Sequence, residues 1–300
     1  MKIYWLEQPE ADLPQEWPAT RGRNSLPGEQ PGPEGQTATP PGWEWLSPRE
    51  LRQLHTLRFA QRRADWLLGR WTAKQAVAAC LSLPPDFQCL EKIEVRPAPS
   101  GAPEIFISNN WAPVTISLSH RSGRAVSAVA PSRGALGCDL EIVEPRSDAF
   151  VEDYLAREEQ GLVARAAPED QPWLVTLLWS AKESALKTLR AGLRLDTRCV
   201  IVTPIDALGS QDEEGGEGAP EEYAPTPGFT VRPSEPLESW HPMRVRHVNH
   251  QTLLGWWQHN GSILRTLVAS PPPALPVLLN VSGSATRGLS VTSADRAQAA

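Results

Sequence analysis

Long apolar runs are missing from this chain. No stretch of about 18 apolar residues occurs, so the sequence offers no membrane-spanning helix. The opening MKIYWLEQPEADLP also lacks the apolar stretch of a signal peptide. Cysteine is scarce and scattered. Cys80, Cys89, Cys138 and Cys199 include no C-x-x-C pair, which excludes both a zinc framework and a disulfide scaffold. Reduced thiols in a cytoplasmic protein are the expectation. A basic excess is lacking too: 29 Lys and Arg against 35 Asp and Glu leave a formal charge of −6. A nucleic-acid binder would carry a basic footprint, so that class is disfavoured, although an anion site answers only to its local charges. There is no Walker A sequence, no G-x-G-x-x-G and no legible Ser–His–Asp arrangement.

What is present is ample core material, 40 % apolar residues with 12 Trp among 300. The 30 prolines are uneven. Residues 20–42 and 209–228 are rich in Pro, Gly and Glu and nearly without large apolar side chains, so both are expected to be disordered insertions. The segment 271–300, beginning PPPALP, is expected to be a disordered tail. Two comparable blocks remain, 1–133 and 134–270. In the first, Ser47-Pro48-Arg49-Glu50 reads as a helix start. A second helix is predicted over 62–81, with strands at 91–96, 103–107, 114–119 and 124–130. The second block repeats that order: a strand at 134–142, helices at 148–166 and 172–190, then strands at 198–203, 228–232, 242–248, 251–258 and 262–269. The fold expected is α+β, in two similar halves that form a pseudo-dimer within one monomeric chain, each a small antiparallel sheet with packed helices. Element order alone carries the duplication, since no fixed-period repeat is evident.

Two acidic segments carry the chemistry. Asp139 and Glu141, two apart on the strand at 134–142, leave the same face, with Leu136, Cys138, Leu140 and Ile142 opposite. The pair is compatible with a solvated strand face and with a hard cation such as Mg²⁺ held between the carboxylates. On the helix that follows, Glu183 and Lys187 are four apart and share a face. They read either as a surface ion pair or as a further metal ligand with a phosphate contact. Upstream, Arg63, Arg70 and Lys74 fall on one face of the helix at 62–81, and Arg62 is interchangeable with Arg63 within the helix register.

Gly137-Cys138-Asp139-Leu140-Glu141, followed some forty residues later by Trp179-Ser180-Ala181-Lys182-Glu183 and Lys187, resembles the paired signature of the phosphopantetheinyl transferase family. The spacing is similar to the larger, two-halved kind that serves peptide, polyketide and fatty-acid carrier proteins. SLSHRSGRAVSAVA (117–130) resembles the family's strand–turn–strand, and RRADWLLGRWTAK (62–74) its basic helix. The resemblance covers about 45 to 270. It implies transfer of the phosphopantetheine arm of coenzyme A to a serine of an acyl or peptidyl carrier protein. Asp139, Glu141 and Glu183 would hold Mg²⁺, or Mn²⁺ in its place. Asp139 and Glu183 would be catalytic, Glu183 as base directly or through a metal-bound water. Arg62, Arg70, Ser119, His120, Lys182 and Lys187 would hold the coenzyme's phosphates. The loop 143–155 and the helix leading to Trp179 would meet the carrier.

The sequence departs from the family at Ala102, where a lysine is usual and for which Arg96 could substitute, and at Arg121, where a small residue is usual. Two other classes remain open: a different Mg²⁺-dependent transferase or hydrolase of nucleotide diphosphates, and a non-catalytic relative that only binds carriers.

Overall fold

The computed structural model describes residues 1–14, 42–191, 195–205, 239–249 and 251–281. Residues 20–41 and 209–228, the strand expected at 228–232 and the segment 282–300 lie outside the described residues. The rest is mixed α and β, with two sheets and six α-helices.

The first sheet is built from β1 (Tyr4–Pro9), β2 (Ile93–Pro97), β3 (Pro103–Ile107), β4 (Asn110–Arg121) and β5 (Arg124–Ala130). Between β1 and β2 run α1 (Pro48–Thr56), α2 (Ala60–Cys80) and α3 (Phe87–Lys92). The capping box at α1 is made as the sequence implies: the Glu50 amide donates to Ser47 Oγ at 3.2 Å and the Ser47 amide to Glu50 Oε2 at 3.1 Å. Two elements escaped the sequence patterning. The strand β1 did, and so did α3, which restarts after Pro84-Pro85 because Asp86 caps it through the Cys89 amide at 2.8 Å.

The second half has β6 (Ala135–Ile142), α4 (Asp148–Tyr154), α5 (Arg157–Arg165), α6 (Gln171–Thr188), β7 (Val200–Pro204), β8 (His241–His247), β9 (Thr252–Asn260) and β10 (Ile263–Ser270). The single helix expected at 148–166 is two. Leu155 and Ala156 turn extended, and Glu159 reaches back to accept from the Ala156 amide at 2.8 Å, which starts α5 afresh. The strand orders are β1-β5-β4-β3-β2 and β6-β10-β9-β8-β7, the same order of appearance in each sheet.

The expected tail needs correction at its start. Residues 271–281 fold back, and β11 (Val277–Leu278) extends the first sheet parallel to β1. The Val277 amide donates to Ile3 O at 2.9 Å and the Leu279 amide to Trp5 O at 2.8 Å, so an otherwise bare sheet edge is satisfied. The prolines of PPPALP precede the pairing and do not interrupt it.

Three apolar clusters hold the molecule. In one, α2 covers the first sheet through residues such as Leu67, Trp71, Val77 and Ile105. In the next, α6 covers the second sheet through Leu174, Leu178, Ala181 and Leu264. The third lies between the sheets, where Trp5, Val126 and Ala128 meet Leu136, Cys138, Leu140 and Leu267.

Candidate active site

The alternation of β6 is as its sequence requires. Cys138 and Leu140 turn into the inter-sheet cluster, while Asp139 and Glu141 face away from it, toward α6. Gly137 lets α6 approach: a Cβ there would stand 1.8 Å from the Ser184 carbonyl oxygen. As an edge strand, β6 needs outside partners. Its Cys138 amide donates to Ser117 Oγ of β4 at 2.9 Å, and its Cys138 carbonyl accepts from Lys187 Nζ at 2.8 Å.

Asp139 is 6 % exposed and accepts three side-chain donors. Ser119 Oγ and Lys187 Nζ reach Oδ1 at 2.8 and 2.9 Å, and Ser180 Oγ reaches Oδ2 at 2.9 Å. Glu141 accepts Trp179 Nε1 at 3.2 Å on Oε1, and Arg121 and Arg146 each stand 3.5 Å from its Oε2. Arg121, ambiguous in sequence, thus pairs with an acidic site residue; Arg146 was not foreseen. Burial, and then Asp139, push the Glu141 pKa up against the pull of both arginines. Burial likewise raises Glu183, with Asp139 and Glu141 adding to it and Lys187 opposing. Burial disfavours the Lys187 ammonium, but Asp139 and Cys138 outweigh that and raise its pKa. The three carboxylates therefore feel one another, yet among the described residues no three acidic, His or Cys side chains are gathered into a ready-made metal site. Above Trp179, the rings of Phe150 and Tyr154 of α4 pack edge-on at 5.2 and 5.1 Å.

Lys182 is a correction. It is 0 % exposed, ion-paired to Glu159 at 2.7 Å and bonded to the carbonyls of Thr197 (3.0 Å) and Val200. Five residues separate it from Lys187, about 140° around a helix, so the two cannot share the phosphate-facing side. Lys74 is its likeness in α2, fully buried, paired with Glu50 and donating to Trp45 O at 2.7 Å. Arg63 is also spent inside, on the carbonyls of Leu57 and Arg58 at 3.0 Å each. Arg62 is exposed. Of the basic stripe only Arg70 opens to a cleft, stacked 4.8 Å over Trp66. Ser119 reaches the carboxylates; His120, next along β4, faces the other side and is exposed.

That cleft holds about 710 Å³. It opens where β3 begins at Pro103 while β4 runs on, and Arg70, Arg96, Arg133, Arg190 and Lys187 line it, with Glu104 the one carboxylate among the described residues that do so. Ala102 lines it without adding charge. Arg96 is held by Glu94 at 2.7 Å and stacked on Phe106. Arg133 and Arg190 add cations that the motifs did not flag. The lining extends along β4 to Leu118, two residues short of His120. Lys187 both lines the cleft and donates to Asp139.

The α+β fold thus sets the neighbouring carboxylates of β6 and α6 beside a cleft lined mostly by cations. Residues 135–222 match the model of the 4′-phosphopantetheinyl transferase superfamily. Over 128 residues the chain is 29 % identical to the 4′-phosphopantetheinyl transferase AcpT of Salmonella typhimurium (strain LT2), which is 42 % of this chain and 58 % of that protein. Residues 135–222 are thus similar to the phosphopantetheinyl transferase superfamily, and the match to the curated relative spans less than two thirds of that protein's length. No described helix is long and apolar enough to cross a membrane.

Proposed function

We propose that the chain transfers the 4′-phosphopantetheine group of coenzyme A to a serine of an apo acyl or peptidyl carrier protein, in the cytoplasm and as a monomer. The observation that carries this is Lys187, whose ammonium lies at once on Asp139 and in the wall of the basic cleft. Arg70, Arg96, Arg133 and Arg190 supply further positive lining for the coenzyme's phosphates, and His120 is a further proposed contact at the end of β4. Asp139, Glu141 and Glu183 are hard oxygen donors, with Lys187 paired to Asp139 and Arg121 and Arg146 to Glu141, and this donor set fits Mg²⁺ or Mn²⁺. Bound there, the cation would neutralise charge on the pyrophosphate oxygens.

The carrier's serine oxygen forms a bond to the phosphorus nearest pantetheine. The bond from that phosphorus to the bridging oxygen breaks, and adenosine 3′,5′-bisphosphate leaves with the electron pair. Glu183 accepts the serine proton. A pseudo-dimer of the halves 1–133 and 134–270 belongs to the same proposal, supported by the shared strand order and by the repeat Trp71-Thr72-Ala73-Lys74-Gln75 and Trp179-Ser180-Ala181-Lys182-Glu183. The test is to incubate the protein with coenzyme A, Mg²⁺ and a panel of apo carriers and weigh the carriers. A phosphopantetheine mass gain on at least one is expected. No gain, while a proven transferase modifies the same panel, removes the proposal.

A further inference from the structure

Behind Asp139 lies a row of buried hydroxyls. Ser180 Oγ is 2.9 Å from Asp139 Oδ2 and 2.9 Å from Thr266 Oγ1, and Thr266 Oγ1 is 2.8 Å from Ser184 Oγ. Ser180 and Ser184 are 0 % exposed and Thr266 1 %. Each hydroxyl has one proton, and an ionised carboxylate only accepts. Ser180 must therefore donate to Asp139. The one proton of Thr266 faces two acceptors on Ser180, the carbonyl oxygen and Oγ, each at 2.9 Å, and the proton of Ser184 faces the Thr266 carbonyl at 3.2 Å and Thr266 Oγ1 at 2.8 Å. Thr266 thus meets Ser180 at both its carbonyl and its hydroxyl, beside that hydroxyl's bond to Asp139, and bonds joined in such a network polarise one another. With Ser119 and Lys187 on Oδ1, three of the carboxylate's roughly four lone-pair positions are taken. The one left is on Oδ2, in an orientation the row holds fixed.

The first half supplies an internal control. Thr266 pairs with Asp139 across β10 and β6, as Ser127 pairs with Leu6 across β5 and β1. Each hydroxyl sits three residues beyond the start of the strand that follows a two-residue turn. The aligned helix positions are Thr72 for Ser180 and Ala76 for Ser184. Where Leu6 replaces the carboxylate, no such row exists: Thr72 Oγ1 turns back to Leu68 O at 2.9 Å, and Ser127 Oγ is buried without a partner. The fold does not need the hydroxyls to pack a helix on the sheet.

We propose that Thr266, through Ser180, is a positioning residue that orients the Asp139 carboxylate for a divalent cation; this rests on the proposed function for the cation itself. The test compares Thr266→Val, which keeps shape and loses the hydroxyl, with Thr266→Ser, which keeps the hydroxyl and loses a methyl. Two quantities are read on folded protein: the carbon-13 shift of the Asp139 carboxylate without metal, and the Mg²⁺ or Mn²⁺ dissociation constant by calorimetry. Thr266→Val should move the shift and weaken the metal by about tenfold or more, the loss typical of outer-shell partners, while Thr266→Ser resembles the parent in both. A packing role predicts the reverse ranking. An unchanged carboxylate shift in Thr266→Val overturns the inference whatever the metal does. A parent protein that binds no divalent cation overturns the proposed function instead, and the shift still decides the positioning.

Discussion

At the scale of single residues, the two lysines of the α6 signature have opposite lives. Lys182 and Glu159 are both sealed from water, so removing one partner strands the other charge. Lys182→Met should cost about 3–5 kcal/mol of unfolding free energy, and the double variant Lys182→Met with Glu159→Leu should regain most of it. Chemical denaturation of the three variants checks this. Lys187→Met should instead abolish transfer. Gly137→Ala presses a methyl on the Ser184 carbonyl and should cost about 3 kcal/mol in the same denaturation experiment.

Much of this was legible from spacing. The face shared by Asp139 and Glu141, the start of α1 at Ser47 and the facing of Glu183 and Lys187 follow from periods of 2 and 3.6. The angle between Lys182 and Lys187 was equally legible, and it argued against giving both to the phosphates. The partners were not legible. Nothing in local sequence says that Glu159 lies across from Lys182, that Arg121 stands on Glu141, or that Thr266 backs Asp139, because those contacts join residues far apart in the chain; Arg146 is only five residues from Glu141, but a loop of no regular period joins them.

At the scale of elements, β6 and α6 press three carboxylates toward one another. Burial raises Glu141 and Glu183 above the ordinary value of 4.5. A group raised on folding stabilises the fold fully below its unfolded pKa, and that contribution is lost as pH rises through its folded value. Without divalent metal, the contribution of these two groups should fall as pH climbs above about 4.5. On the proposed function, added Mg²⁺ would bind the ionised carboxylates. It should raise the melting temperature at pH 7 and leave it unchanged at pH 4, as scanning calorimetry can read. Equal shifts at both values would place the metal elsewhere. Element by element, the misses have physical causes. The strand β11 begins after prolines that suggested a tail, and α5 owes its separate start to the reach of one side chain, Glu159.

At the scale of the molecule, two sheets of one strand order share an inter-sheet core, and a buried Glu–Lys pair ties a helix to each. In both, the glutamate also takes the amide of the third residue of a strand, Val95 on Glu50 at 3.4 Å and Val202 on Glu159 at 2.8 Å. The pair therefore serves architecture beside each sheet, while the two sheets differ at the carboxylate: Leu6 stands opposite Ser127 where Asp139 stands opposite Thr266. Lys187 of α6 lines a cleft walled by β2, β3 and β4 of the first sheet. Asp139 is the point on which cleft, helix and strand converge. Its replacement by Asn keeps the shape and removes the charge, so the most direct measurement is the mass of an apo carrier protein after incubation with coenzyme A, Mg²⁺ and either the parent or Asp139→Asn. The account predicts a phosphopantetheine gain with the parent and none with the folded variant; an equal gain with both would contradict it.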